Sequence, residues 1–319
     1  MHFPFTLPRE REFDAVGFGL NAVDHLVVVP AYPAFDTKTR LSEHVRAAGG
    51  QTASAMVGLQ RLGLRTAYAG RFGSDAEGLF GLATLADEGV DTEFAEIIEG
   101  GRNQLAFIII DERNGERTII WDRDERLAYS PADAPVSLAA RGRVLHLDAH
   151  DPPACARMAR AAREAGTIVS ADIDNIYEGL PGLLPLIDIL ISSGEFPQRL
   201  TGIRDERAAL LEIKARYGCA LVGMTLGRRG ALLLLSGGVF LEAPALGVPG
   251  GCRDTTGAGD AFHAGFLYGL LCGEEIEASM RLANATAALK CRALGARTSL
   301  PSRSELEGFL EQNPSAISH

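Results

Sequence analysis

The sequence predicts an α/β fold with a mostly parallel central sheet, and three observations predict it. Apolar segments of strand length alternate with segments of helix length from near the start of the 319 residues to near the end. The composition, 46% hydrophobic and 23% charged, suits a globular chain with a sizeable core. No Ser/Gly-rich linker, low-complexity tract or internal repeat divides the chain, so residues 1–319 read as one domain.

Phe13 to Gly19 reads as a buried strand, Gln51 to Leu62 as a helix of small residues, and Arg65 to Gly70 as the next strand. Asp75 to Glu88 is a helix that Asp75 caps and Gly89 ends. Strand Val144 to Leu147, helix Pro153 to Ala165, strand Thr167 to Ala171 and strand Ile187 to Ile191 follow. Helix Asp205 to Tyr217 and strand Ala220 to Thr225 continue the series. Two stretches, about residues 26–46 and 104–121, are extended without an intervening helix. The second carries an Asn114-Gly115 turn between apolar runs. They predict a small β-layer inserted as a lid.

Net charge is -10 and the pI about 5.3, with no basic run, so nucleic acid is not an expected partner. The five cysteines are odd in number, widely spaced and form no C-x-x-C pair, which argues against a disulfide framework or a structural zinc site. Met1 to Arg11 lacks a hydrophobic signal core, and no apolar run approaches the ~20 residues that span a bilayer. The expectation is a cytoplasmic protein without a membrane partner.

The most informative stretch is Asp254-Thr255-Thr256-Gly257-Ala258-Gly259-Asp260, just ahead of a helical pattern from Ala261 to Leu271. Gly257 and Gly259 allow the backbone to approach a ligand closely. The amides of Gly257, Ala258 and Gly259 would then point from a helix N-terminus, where the dipole favours an anion. An aspartate among such amides can take a proton while they hold a transferring phosphoryl group.

The whole string resembles a signature of the ribokinase-like (PfkB) carbohydrate kinases, and the likeness runs from about Asp14 to Leu310. The resemblance implies a three-layer sandwich with a β-sheet lid and ATP with magnesium as cofactor. It also implies a sugar substrate and a homodimer formed through the lid. By it Asp260 is the catalytic base and Gly257, Ala258 and Gly259 the anion hole. Asn21, Asp24, Gly49, Gly50, Ser54 and Asp148 correspond to sugar-contacting positions. Gly70 to Asp75 resembles the family's G-x-x-G-x-D segment. Ser193, Thr225, Gly227, Gly230 and Asn284 correspond to nucleotide-side positions. Asp254, Thr256, Gly295 and Ser299 fall where some relatives bind a monovalent cation such as K⁺.

Two departures matter. The family's N-x-x-E motif, which organises magnesium-bound water, appears here as Ser193-Gly194-Glu195-Phe196, with Glu195 one residue early. Gln51 and Ser54 stand where ribokinase itself has Lys and Asn, so ribose is not the expected acceptor. Asn114 to Ile119 is similar to the lid strand of ketohexokinase-type and sulfosugar-type relatives, which points to a keto-sugar.

Some of these residues admit other readings. Gly17 to Ala22 fits the dinucleotide pattern G-x-G-x-x-A, but a strand with Pro30 follows where that motif needs a helix. No G-x-x-x-x-G-K-[ST] is present. His146, Asp148 and His150, alternating along a strand, could bind zinc for hydrolysis. A silent sugar-binding regulator would not need Asp260. Nucleoside and phosphosugar acceptors stay open within the kinase reading.

Overall fold

A computed structural model describes residues 1–314. From the N-terminus, β1 (Phe13–Phe18) runs through the core. β2 (Ala22–Val29) and β3 (Glu43–Gly49) leave it as a hairpin, and α1 (Gln51–Arg61) returns to β4 (Thr66–Ala69). Short β5 (Arg71–Gly73), α2 (Ala76–Asp87) and β6 (Glu96–Ile98) lead to a second hairpin, β7 (Leu105–Asp111) and β8 (Arg117–Asp122). Then come α3 (Val136–Ala139), β9 (Gly142–Leu147), α4 (Pro152–Glu164), β10 (Ile168–Ile173), α5 (Leu180–Leu183) and β11 (Ile189–Ser193). After α6 (Phe196–Thr201), α7 (Glu206–Tyr217) and β12 (Leu221–Thr225), the strands β13 (Ala231–Leu234) and β14 (Phe240–Ala243) close the sheet. Three helices finish the fold: α8 (Ala258–Cys272), α9 (Ile276–Lys290) and α10 (Arg303–Gln312).

The central sheet has the order β14-β13-β12-β11-β10-β9-β1-β4, parallel from β12 to β4, with β13 and β14 antiparallel at the far edge. Strands covered on both faces must be apolar throughout, and every residue of β10 is buried. One face packs against α1, α8, α9 and α10 through Met56, Phe266, Leu289 and Phe309. The other packs against α3, α4, α5 and α7 through Leu138, Met158, Leu183 and Ile213. The result is the three-layer sandwich. No helix among the described residues is long and apolar enough to cross a membrane.

The lid is a four-stranded sheet of order β3-β2-β7-β8, in which two antiparallel hairpins join through parallel β2 and β7. It starts earlier than its apolar pattern suggested. Asp24 lies inside β2, opposite Ala47 and Ala106, and Gly49 ends β3. The apolar run from Leu26 hid this start, because the strand begins ahead of that run and its Asp24 faces the cavity described below. Along β8, Arg117, Ile119 and Trp121 turn to that cavity. Ile120 and its cross-strand partner Phe107 are about half exposed on the other face. A two-stranded parallel pair, β5 with β6, was not anticipated because both strands are only three residues long.

Asp75 caps α2 as expected, accepting from the Gly78 amide at 2.9 Å, and the same carboxylate accepts from the Asn103 amide ahead of β7. One side chain thus ties a core helix to the lid's root. Asp75→Ala should lose both bonds and destabilise the fold by about 1–2 kcal/mol. Urea unfolding at neutral pH measures it, and a change under a few tenths of a kcal/mol would show the cap to be dispensable.

Candidate active site

The site is organised around the head of α8. Gly257 caps the helix at φ 77°, and a side chain there would sit 2.7 Å from the Ala296 Cα. Glycine is therefore demanded twice, by the left-handed backbone and by the close approach. The Ala258 amide bonds to the Thr255 carbonyl at 3.1 Å, so it is not free for a ligand. This corrects the expected anion hole. The amides of Gly257, Gly259 and Asp260 have no hydrogen-bond partner among the described residues, and it is these that remain available to an anion. A Cβ at Gly259 would meet nothing within 4 Å, because that face of the turn opens into space.

That space is a cavity of about 1060 Å³ between the lid and the carboxyl ends of the parallel strands, where open α/β sheets bind ligands. Asp260 is buried on its wall and accepts no hydrogen bond from the described residues. Burial raises its pKa well above the carboxylate range, and the nearby Asp172 and Asp24 carboxylates push the same way. Across the cavity Asp24, also buried and without a donor, has its pKa pushed up to about 7 by burial against the pull of Arg297. Gly49 has no room for a side chain, since a Cβ would lie 2.2 Å from the Asp24 Oδ2. The guanidinium of Arg297 donates to the Gly49 carbonyl and to the Ser54 hydroxyl. Burial lowers the Arg297 pKa only to about 10, so it stays a cation at neutral pH. Arg117 reaches down from the lid to the Thr255 hydroxyl at 2.5 Å.

Residues 18–303 match the model of the pfkB family of carbohydrate kinases. The chain belongs to the PfkB family. An "uncharacterized sugar kinase" of Archaeoglobus fulgidus is 36% identical over 257 residues, covering 77% of this chain and 98% of that protein. A fructokinase of Klebsiella pneumoniae is 31% identical, covering 82% of this chain and 91% of its own. Among solved structures, Arabidopsis thaliana ribokinase shares the fold with a TM-score of 0.79 at 24% identity, over 94% of this chain and 99% of that one. The protein is thus an ATP-dependent kinase of the PfkB sugar and nucleoside kinases.

Within this PfkB kinase the residues singled out in the sequence divide into two groups. Asp24, Gly50, Ser193, Thr225, Gly227, Thr256, Gly257, Ala258, Gly259, Asp260 and Asn284 all line the cavity. Others stand behind its wall. Asp148 is fully buried and holds the Leu20 amide and the Thr52 hydroxyl, stapling the end of β1 to α1. Burial alone would raise its pKa, but His150 and these bonds bring it to about 2. Asn21 donates to the Arg71 carbonyl, and Ser54 serves Arg297. Gly49 makes room for Asp24. Gly230 packs against the Ala243 carbonyl, which a Cβ would meet at 2.0 Å. These five are not among the residues that line the cavity.

Glu195 caps α6, is exposed and is absent from the cavity wall. No group of three His, Cys, Asp or Glu among the described residues is arranged to hold a metal. The zinc reading of His146, Asp148 and His150 falls with it, because β9 stops at Leu147 and Ala149 turns to φ 62°, ending the alternation. His146 packs its ring 5.1 Å from that of His263, and burial lowers its pKa to about 3. Of the monovalent-cation positions, Asp254 has both carboxylate oxygens engaged, by the Thr256 and Gly295 amides at 2.8 Å each. Ser299 donates to the Lys290 carbonyl.

Sequence reasoning missed Asp172, Asp174, His263, Arg117, Trp121 and Tyr177, all on the cavity wall. Two signals existed. Asp172 and Asp174 sit where the apolar run of β10 ends, and His263 follows Asp260 at the spacing that shares a helix face. His263 lies 3.3 Å from Asp172, linking α8 to β10.

Because the folded pKa of Asp24 lies above its unfolded value, its stabilising contribution is full below about pH 4 and is lost as pH rises toward 7. Asp24→Asn should therefore match the native protein in stability near pH 4 and exceed it by roughly 2–4 kcal/mol at pH 8. Melting curves across that range test the sign, and a gap that stays constant with pH would refute the assignment.

Proposed function

We propose that the protein transfers the γ-phosphoryl group of ATP to a hydroxyl of a sugar, with Asp260 as the general base. The observation that carries this is a buried carboxylate with no protein donor, set beside three free amides at a helix N-terminus and facing the cavity. In the step, Asp260 takes the acceptor's hydroxyl proton as that oxygen bonds to the γ-phosphorus. The bond from phosphorus to the bridging oxygen breaks, and ADP leaves with the electron pair. The Gly257, Gly259 and Asp260 amides and the α8 dipole hold the equatorial oxygens. Asp24 accepts from sugar hydroxyls, and Ser193, Thr225, Gly227 and Asn284 line the nucleotide's part of the cavity. Magnesium would accompany the ATP phosphates and would offset part of their negative charge.

The raised pKa of Asp260 is functional in this reading. A carboxylate at its usual pKa would be a feeble base at neutral pH, and burial makes it stronger. Arg117 supplies a positive charge from the lid next to Thr255, where charge builds on the transferring group.

A nucleoside acceptor is the second reading, and one observation favours it. The rings of Trp121, His150 and Tyr177 line one wall together, with His150 centred 5.0 Å from Tyr177 and 6.4 Å from Trp121. Aromatic faces suit a base as well as a sugar ring. An ATP-consumption screen against ketoses, aldoses, nucleosides and their phosphates separates the two, since turnover confined to nucleosides would displace the sugar reading.

Asp260→Asn should leave ATP binding within about twofold while cutting kcat by roughly 10²–10⁴. The native enzyme's kcat/KM should also climb with pH through a value above the ordinary carboxylate range. A variant that keeps half the native kcat removes Asp260 as base. Arg117→Gln should lower kcat by roughly tenfold to a hundredfold with sugar KM little changed. Steady-state kinetics decide it, and a rise in sugar KM alone would make Arg117 an acceptor-binding residue.

A further inference from the structure

Lys290, at the end of α9, is fully buried, and so is the Asp254 side chain it faces. Its Nζ donates to the Asp254 carbonyl oxygen at 3.0 Å and lies 3.7 Å from the Asp254 Oδ2. The end of a helix carries partial negative charge, which favours a cation there. Burial pulls the Lys290 pKa down, and the Asp254 carboxylate opposes that pull. The surroundings are backbone: the Thr256 and Gly295 amides hold the Asp254 carboxylate, and Ser299 holds the Lys290 carbonyl.

These are the positions expected to turn oxygens toward a monovalent ion, and they do not fit one. An ammonium already rests on the Asp254 carbonyl and close to its carboxylate. A second unit charge a few ångströms away, beside an ammonium and a carboxylate that are both fully buried, would repel it strongly. We infer that Lys290 is a built-in monovalent cation, a positioning residue that fixes the 254–257 loop and places its ammonium behind the free amides of α8. The enzyme then has no need of potassium.

Three consequences follow from the geometry. The loop that sets Gly257 is held twice at its first residue, by Lys290 on the Asp254 carbonyl and by Gly295 on its carboxylate. The charge cannot be washed out, because it is covalent. The α8·α9 contact becomes part of the site, since close packing of Gly265 on Ala283 and Gly269 on Ser279 sets where Lys290 ends.

The test compares potassium chloride with tetramethylammonium chloride at about 0.1 M, so that ionic strength is constant. It reads both the rate with ATP and the melting temperature of the protein alone. The rate arm rests on the kinase reading, whereas the melting arm needs no substrate and stands if that reading fails. For the native protein, exchange of the salts should change kcat/KM for ATP by less than about twofold and leave the melting temperature unmoved. Lys290→Ala opens the space, and its kcat/KM should fall roughly tenfold to a hundredfold as the loop loses its anchor. Potassium, but not tetramethylammonium, should then recover part of the rate and raise the melting temperature of the variant, an effect a merely structural lysine would not produce. Lys290→Gln provides a second, milder variant if the alanine form does not fold. Potassium activation or stabilisation of the native protein, or a native rate in Lys290→Ala, would overturn the proposal.

Discussion

The arrangement that the site depends on is the clasp at Asp254. One buried carboxylate receives the amide two residues along its own loop and an amide from the chain beyond α9, while its carbonyl receives a lysine from the end of α9. Each bond fixes backbone rather than side chain. Together they determine where Gly257 turns and therefore the direction in which α8 starts. An anion hole made of amides is only as accurate as the backbone that carries it. A buried ion pair is poor evidence of net stability, so the clasp is better understood as positioning. Gly257 against Ala296 makes the same point by contact, since no side chain fits between them.

A second constraint is charge. The cavity gathers Asp24, Asp172, Asp174 and Asp260 on its walls in a chain already at -10. Desolvation and mutual repulsion raise the pKa values of Asp24, Asp174 and Asp260, storing free energy that an opposite charge or a hydroxyl donor can release. Arg297 from below and Arg117 from the lid offset part of it. Such a site favours ligands that bring donors to Asp24 and negative charge to α8, which are the two halves of a phosphoryl transfer to an alcohol. Stability is sacrificed for poise at Asp24 and Asp260.

Much of this was legible beforehand because it is local. Helix caps, strand periods and the turn at Asn114-Gly115 depend on neighbours a few residues away, and α2 and β1 lie within a residue or two of their expected bounds. Gly257-Ala258-Gly259-Asp260 was readable as an anion-binding helix start for the same reason. Which of its amides is free was not, because the Ala258 amide is diverted by a turn back to Thr255. Asp148 looked like a ligand at a strand end, yet its partners Leu20 and Thr52 are far away in sequence and enclose it.

The sequence alone determined the alternating α/β order, the lid insertions and the aspartate among glycines, since periodicity and backbone permissiveness are properties of short segments. The tertiary structure decided which acids face the cavity, which are walled off and what their pKa values become. Burial and field depend on groups brought together across the chain, as Asp24 is with Arg297 and Asp260 with Asp172. It alone decided that Lys290, one more cation at a helix end in the sequence, reaches Asp254. That contact exists because Gly265 and Gly269 let α8 and α9 close to backbone distance.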